Sequence, residues 1–403
     1  MVISKESIKY SLRNLKMSRS RSLLTILSIF VGISAIFIFV SFGWGLYDYV
    51  DEFTTVSSIN KVIIQPKGVG APGLDDTFAL TESDLRAVKK VAGVYDVTGS
   101  SFDIAEIQYK TFKRYVFIMS YDPKKPLMWD ISNIGLLKGK ELGNKDKGKV
   151  ILGYNFQLDD KIFPKGLEVN DNFDLNDEKV KVVGFMEAVG NPQDDSNIYV
   201  SQEFFDELYP EREGGYGWVI AEVEVEKIDK VVEDIEKALR KNKDQEKGQE
   251  DFFVQSFEEM IETFSEALNI IIGFVILIAL ISVIVSAVNT ANTMITSVIE
   301  RIKEIGIIKS IGAKNSEILK IFLFESSFLG FISGVIGIIV GYGVTLLAGR
   351  ILENLGWGFL SPHYHWVLFV GCILFATFTG AISGAIPAWK ASKTNVVDAL
   401  RYE

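Results

Sequence analysis

The 403-residue sequence contains few of the side chains on which most enzymes depend. It has one cysteine, Cys372, and its two histidines are His363 and His365. Residues 44–266 lack both residue types, which excludes Ser-His-Asp and Cys-His nucleophilic sites and most zinc sites from that segment. One cysteine also excludes a disulfide within the chain. We therefore predict no catalytic residue and no metal ligand, and we interpret the two histidines as interfacial aromatic residues.

Charge is absent from four long stretches, although 23% of all residues are charged and the net charge is −10. About 20 consecutive apolar residues cross the hydrocarbon core of a membrane, and a soluble helix would need a polar face at helical spacing. We therefore predict four transmembrane helices, each built around one of these stretches, at residues 22–46, 267–291, 318–349 and 366–388. The first could instead be a signal peptide. Its long apolar core, with no clean small-residue cleavage site after it, favours a retained span.

Lysine and arginine predict the orientation of these helices. The flanking segments 1–21, 292–320 and 389–403 together contain 14 basic and 6 acidic residues, whereas residues 44–266 contain 27 basic and 44 acidic residues. Positive flanks belong on the cytoplasmic side, so we predict a cell-membrane protein with both termini in the cytoplasm. The acidic total argues against nucleic acid as a partner. The segments predicted to lie outside are a large domain and a short loop, residues 47–265 and 350–365.

The large outer segment has the pattern of a mixed α/β domain. Thr81 and Asp84 have the spacing of a capping box at a helix start, and residues 228–240 form an amphipathic helical pattern. Alternating, strand-like segments surround both helices. Their order predicts two lobes, the first from residues 47–110 and 213–265 and the second from residues 111–212.

Pairs of neighbouring acids are the remaining chemical feature of this segment. Two carboxylates that share a site can act as acid and base, but no pattern here points to a shared site. We interpret the pairs as parts of a solvated face: Asp75 and Asp76, Asp159 and Asp160, and Asp194 and Asp195.

The segment between the second and third predicted spans, residues 292–317, is amphipathic. Its isoleucines recur at three-residue spacing and form one apolar stripe: Ile302, Ile305, Ile308 and Ile311. We expect Gly306 and Gly312 to interrupt the helix and Asn315 to cap the next one. Such a helix can lie on lipid headgroups, serve as a connector, or dock its apolar face in a groove of a cytoplasmic partner, and periodicity alone does not choose between them.

The residues of this segment carry a resemblance to a known family. The stretch Glu300–Ala313, ERIKEIGIIKSIGA, resembles the ERxxEIGxxxAxGA motif of the MacB/FtsX/lipoprotein-releasing (LolC/LolE-like) ABC permeases, with Ser310 where that family often has alanine. The segment that starts at Pro387, PAWKASKTNVVDAL, is similar to the family's ending, although Val396 stands near the position of its second proline. The matching segments follow the family's order over nearly the whole chain.

This resemblance implies a dimeric permease, formed with an identical or a sister chain, that is coupled to a cytoplasmic ABC ATPase. The sequence has no GxxxxGK[ST] loop, so we expect ATP to be bound by a separate subunit and this chain to be neither an enzyme nor a cofactor-binding protein. The resemblance also implies a MacB-core-like outer domain and admits an extracytoplasmic adaptor as a further partner. The residues that it assigns to ATPase coupling are Glu300, Arg301, Glu304, Ile305, Gly306, Ile311, Gly312 and Ala313.

Small and polar residues within the spans predict how the helices pack. Glycines at four-residue spacing let helices approach closely; they are Gly330, Gly334, Gly337, Gly341, Gly380 and Gly384. Glu325 lies inside the third span, where a carboxylate is costly, so we predict that it reaches the inner interface or pairs with a basic residue near the coupling segment. The spans contact membrane lipid and lack a run of charges that would line a polar channel, which favours a mechanical role.

The predicted fold is therefore a membrane protein with four transmembrane α-helices and a two-lobed α/β domain between the first two. Three functions are open. The first, favoured by the size of the outer domain, is an ABC permease that exports or extracts a peptide, a lipoprotein or an antibiotic-like substrate. The second is an FtsX-like signal transducer that regulates an extracytoplasmic enzyme. The third is a membrane-anchored binding domain without an ATPase, against which the coupling motif argues.

Overall fold

A computed structural model describes residues 19–53, 58–67, 79–132, 134–212 and 214–401. Most of the predicted N-terminal stub, and the pair Asp75 and Asp76, lie outside the described residues. The chain divides into two compact units. The helical unit comprises Met1–Leu46, Ala267–Ile351 and Leu360–Glu403, and the α/β unit comprises Tyr47–Glu266 and Leu352–Phe359.

The helices and strands of the described residues follow one another in this order: α1 (Arg19–Phe53), β1 (Lys61–Pro66), β2 (Leu80–Thr81), α2 (Glu82–Lys89), β3 (Val94–Ser100), β4 (Phe102–Tyr109), β5 (Phe112–Tyr121), α3 (Leu127–Ser132), β6 (Leu136–Gly139), β7 (Lys149–Leu152), β8 (Asn172–Leu175), β9 (Glu178–Met186), β10 (Ile198–Ser201), α4 (Gln202–Leu208), β11 (Gly215–Tyr216), β12 (Trp218–Val223), α5 (Ile228–Lys243), β13 (Phe252–Ser256), α6 (Phe257–Glu300), α7 (Ile302–Ser310), α8 (Asn315–Leu355), α9 (Trp366–Ser392) and α10 (Val396–Arg401).

Four of these helices, α1, α6, α8 and α9, are long and apolar enough to cross a membrane, which confirms the four predicted spans. Each extends beyond its predicted bounds, because hydropathy measures the apolar core and not the polar turns that continue the helix on either side. The helix α6 shows this most, since it runs from Phe257 to Glu300 where the sequence predicted residues 267–291.

Interdigitated side chains of α1, α8 and α9 form the core of the helical unit. Ile33 and Phe37 of α1 are fully buried, as is Ala376 of α9, and all three belong to one apolar cluster. The Ser34 hydroxyl donates a hydrogen bond of 2.9 Å to the Gly337 carbonyl. This bond joins α1 to α8 inside the apolar region, where a hydroxyl without a partner would be costly.

The predicted packing glycines lie at the contacts between helices of this unit. A Cβ added to Gly380 would lie 2.5 Å from the Ser326 carbonyl oxygen and 3.1 Å from the Gly330 Cα, so only glycine lets α8 and α9 approach this closely. Gly330, Gly334 and Gly384 belong to the same α8–α9 contact. The other two predicted glycines of α8 instead contact α1, with Gly337 against Ile33 and Gly341 against Phe37.

The first sheet of the α/β unit has the strand order β13-β1-β12-β3, and every pair in it is antiparallel. One face is covered by α2 and α5, because Val231, Ile235 and Leu239 form a buried stripe on α5. The predicted capping box at the start of α2 is confirmed: the Thr81 backbone N–H donates to the Asp84 carboxylate at 2.8 Å, and the Thr81 hydroxyl accepts from the Asp84 N–H at 3.4 Å.

The second sheet has the order β6-β9-β7-β10-β5-β4-β8, and β8 also pairs with β9. This additional pairing closes six of the strands into a barrel, which removes their free edges. The strand β4 belongs to this barrel through its pairing with β5. The predicted lobe boundary at residue 110 is therefore wrong, because the chain crosses between the sheets at Ser101, before β4 begins.

A cluster of three charged side chains, Asp96, Lys89 and Lys125, links the two sheets of the α/β unit. The Asp96 carboxylate of β3 accepts a 2.7 Å hydrogen bond from Lys125, which follows β5, and a 3.0 Å bond from Lys89 of α2. Burial raises the pKa of Asp96, but these hydrogen bonds outweigh it and lower that pKa to about 2.

The hydrogen bonds that Asp96 accepts should make the free energy of unfolding depend on pH in acidic solution. The folded-state pKa of Asp96 lies below the usual value of an aspartate, so its contribution is present above about pH 4 and is lost as the pH falls toward 2. Asp96→Asn should reduce the free energy of unfolding by about 1 kcal/mol at pH 7, since solvent screens a pair that is one-third exposed. The difference in melting temperature from wild type should shrink below pH 4. Asp174→Asn, at an exposed position of β8, is the control, and a deficit that is constant with pH would contradict the assignment.

The close contact at Gly380 should tolerate no added methyl group. Gly380→Ala forces α8 and α9 apart and should destabilise the helical unit by about 1–3 kcal/mol, although alanine favours helix. Gly371→Ala is the matched control on the same helix, because its Cβ would enter open space. Melting of the detergent-solubilised chain measures both. Equal melting temperatures for the two variants would show that the contact is not tight.

Candidate functional site

The candidate site consists of α7 and the adjoining ends of α6, α8 and α9, which we call the junction. The helix α6 ends at Glu300, and α7 begins at Ile302, with Arg301 between them. The end of α7 is a Schellman motif: the Gly312 N–H donates to the Lys309 carbonyl and the Ala313 N–H to the Ile308 carbonyl. Gly312 has φ +106°, which favours glycine and stops the helix there.

Gly306 does not interrupt α7, contrary to the sequence prediction. It is helical and buried in the middle of that helix, next to Ile305. A buried glycine in the middle of a helix cannot be distinguished from a glycine that breaks a helix by the sequence alone.

The predicted apolar stripe of α7 divides between two faces. Ile305 is only 3% exposed and packs on Met294, Ile318 and Phe322, with Ile308 at the edge of the same cluster. Ile311 is 82% exposed and Ile307 is 55% exposed. The inward face is therefore used within the chain, and the face that presents apolar side chains outward is Ile307 with Ile311.

An ion pair fixes the start of α7 to α8. The Arg301 guanidinium donates to the Glu325 carboxylate at 3.2 Å, and it lies over the Phe322 ring at 5.2 Å from the ring centroid. Glu325 is 2% exposed. The predicted pairing of Glu325 with a basic residue near the coupling segment is thus confirmed. Removing either partner would leave a buried charge uncompensated.

A second polar contact fixes the end of α7 to α9. The Lys309 ammonium donates to the carbonyls of Ser392 at 3.0 Å and Thr394 at 2.7 Å, at the C-terminal end of α9. A cation is favourable at helix C-terminal carbonyls, which have no partner within their own helix. This role of Lys309 is not predictable from the sequence, because its partners lie more than 80 positions away and no local pattern marks them.

The structure brings together only some of the residues assigned to coupling. Arg301, Ile305 and Gly306 face the chain's own helices and hold α7 in place. Ala313 is half-buried. The members of the set that are exposed are Glu300, Glu304, Ile311 and Gly312. Ile307 is also exposed, although it was not among the predicted coupling residues.

Elsewhere, two acidic side chains differ from the sequence interpretation. Asp195 is 3% exposed, and its carboxylate accepts the backbone N–H groups of Val189 at 2.7 Å and Gly190 at 3.0 Å. Burial raises the pKa of Asp195, and these bonds partly oppose the shift. Asp194 is half-buried. The interpretation of this pair as a solvated face is wrong, because backbone N–H groups of the same loop bind the Asp195 carboxylate and remove it from water. Among the described residues no group of acids, histidines and cysteines could hold a metal ion.

Comparison with known proteins shows similarity along the whole chain. Residues 22–238 match the model of the MacB-like periplasmic core domain, and residues 276–396 match that of the FtsX-like permease C-terminal region. An ABC transporter permease of Methanocaldococcus jannaschii is 34% identical, with 98% of each chain covered. YknZ, an ABC transporter permease of Bacillus subtilis, is 25% identical over 99% of each chain. The macrolide export ATP-binding/permease protein MacB of Marinobacter nauticus is 26% identical over 99% of this chain but 61% of that protein.

Removing one partner of the ion pair should destabilise the helical unit more than removing both. Arg301→Leu leaves the buried Glu325 carboxylate without its guanidinium, at an expected cost of about 3–5 kcal/mol. The double variant Arg301→Leu/Glu325→Leu removes both charges and should recover most of that stability. A double-mutant cycle of melting temperatures in one detergent measures this, with Lys303→Gln, at an exposed position of α7, as control. Additive losses would show that the two side chains do not interact.

Proposed function

Since this chain belongs to the ABC transporter permeases with a MacB-like periplasmic core domain and an FtsX-like C-terminal region, we propose that it transmits the ATP-driven movement of a separate ATPase subunit to its outer domain and thereby exports or extracts a substrate. One observation carries this proposal. The helix α7 presents Ile307 and Ile311 outward, while its opposite face and both of its ends are fixed to the spans.

Ile307 and Ile311 lie one helical turn apart and are 55% and 82% exposed, so together they form an apolar patch of the kind that marks a contact with a protein or a membrane. Ile311 stands beside the helix-ending Gly312, with the acids Glu300 and Glu304 also exposed on the junction. A short helix with an apolar tip and flanking charges fits a groove on a protein partner. In this proposal the partner is the cytoplasmic ATPase, which binds the ATP.

The fixed face of α7 supports transmission rather than simple attachment. Arg301 holds its start to α8 and Lys309 holds its end to α9, and Ile305 packs among apolar side chains of α6 and α8. Packed interiors shift as a body instead of deforming locally. A displacement of α7 would therefore move three spans, and α6 is one unbroken helix from Phe257, which follows β13, to Glu300.

The surroundings of the spans fit a membrane-embedded dimer. The helix α6 exposes a broad apolar face that includes Ile270, Ile271, Phe274 and Ile278, which membrane lipid or a second permease chain would cover. The basic flanks support an orientation with both termini in the cytoplasm. An extracytoplasmic adaptor would then contact the α/β unit. Export is favoured over pure signal transduction because the match to the MacB-like periplasmic core domain covers residues 22–238.

The exposed tip of α7 should be required for ATPase binding but not for folding. Ile311→Asp places a charge in the proposed groove and should remove the ATPase subunit when the tagged chain is purified from its native membrane in mild detergent. Ile311→Leu keeps the apolar tip and is the control. Quantitative mass spectrometry gives the ratio of ATPase to permease, and melting of each variant confirms folding. A wild-type chain that is purified alone, and binds no added ATPase, would overturn the proposal.

A further inference from the structure

An apolar cavity of about 420 Å³ lies within the α/β unit, between the four-stranded sheet and the barrel. Its walls come from β1, β4, β5, β10 and β12, from α3, from the end of α1 and from the first turns of α6. The volume is that of a small-molecule site. Two of its lining residues, Gln193 and Phe264, are exposed.

The cavity is lined mainly by aromatic and thioether side chains. Phe102 packs edge-on against Trp218 with ring centroids 5.7 Å apart, and Trp129 packs edge-on against Tyr199 at 4.7 Å. Met128 is one of several methionines that complete the wall. Aromatic faces attract cations as well as apolar groups, and thioethers adapt to ligands of irregular shape.

One charged side chain faces this apolar lining. Among the described residues that line the cavity, Asp194 alone carries a charge. Its carboxylate accepts a 2.9 Å hydrogen bond from the Asn191 side chain, and burial raises its pKa. The neighbouring Asp195 is held by two backbone N–H groups, which fixes the short turn that positions Asp194. A carboxylate that is partly removed from water is stabilised when a cation accompanies it.

We propose that this cavity binds an amphiphilic monocation, with its apolar body between the aromatic pairs and its positive group at Asp194. Charge complementarity selects the ligand. An anionic amphiphile would place like charges together in a poorly solvated site, and a neutral one would leave the carboxylate without a counter-ion. That such a cation is transported rests on the proposed function, whereas its binding does not.

Binding can be measured on the full chain in nanodiscs of zwitterionic phosphatidylcholine. Tetraphenylphosphonium is the probe, and tetraphenylborate, which has nearly the same shape and the opposite charge, is its counterpart. Equilibrium dialysis, corrected with empty nanodiscs, should show saturable binding of the cation and none of the anion. Asp194→Asn, which keeps an acceptor for Asn191, should weaken cation binding at least tenfold. Asp160→Asn changes an exposed acid outside the cavity and should leave binding unchanged.

A second variant tests the cavity independently of the charge. Val189 lines the cavity from a loop and is half-buried, so Val189→Trp should fill the space without disturbing a strand, and saturable cation binding should be lost. Melting temperatures verify that both variants fold. Wild-type affinity in Asp194→Asn, or equal binding of the anion, would overturn the proposal. Unchanged binding in Val189→Trp would show partition into lipid only, and would also overturn it.

The cation-binding experiment and the ATPase experiment can fail independently of each other. Ile311→Asp should bind tetraphenylphosphonium with wild-type affinity, because the junction and the cavity are formed by different residues. Cation binding without an ATPase partner would leave the cavity assignment intact and overturn the coupling. An ATPase partner without cation binding would support the coupling and overturn the cavity assignment.

Discussion

The buried ion pair between Arg301 and Glu325 constrains the arrangement of the whole helical unit. A carboxylate that is 2% exposed inside a span requires a cation, and the cation comes from the residue between α6 and α7. Because Arg301 must reach into α8, the end of α6 and the start of α7 are both held against that span. The apolar cluster around Ile305 forms on the same contact, and the direction in which α7 faces follows from it.

Close contacts between helices extend the constraint set by this ion pair from α8 to α9. Gly330 and Gly380 let the α8 and α9 backbones approach within a distance at which any Cβ would clash, and Lys309 ties α7 to the end of α9. Such packing resists local deformation. Between α7 and the spans the unit thus has few contacts that can deform locally, a property that the proposed transmission of movement requires.

The α/β unit has a different character. Its two sheets bury separate apolar cores, and a third set of side chains between them, among which are Phe102, Met128 and Trp218, does not fill the space that it encloses. The ion pair between Asp96 of β3 and Lys125, which follows β5, also joins the two sheets. A domain with two cores and an incompletely filled apolar space between them has room for a ligand that a single packed core lacks.

Local patterns determined the spans, the capping box at Thr81 and the buried stripe of α5, because each depends on residues within one or two helical turns. The coupling motif, likewise continuous in sequence, indicated the family. Only the tertiary structure decided the rest. The outward face of α7, the capping of α9 by Lys309, the assignment of β4 to the barrel and the burial of Asp195 all depend on contacts with parts of the chain that periodicity does not reach. An isoleucine stripe has the same spacing whichever neighbour covers it, so hydropathy predicted the stripe and packing chose its direction.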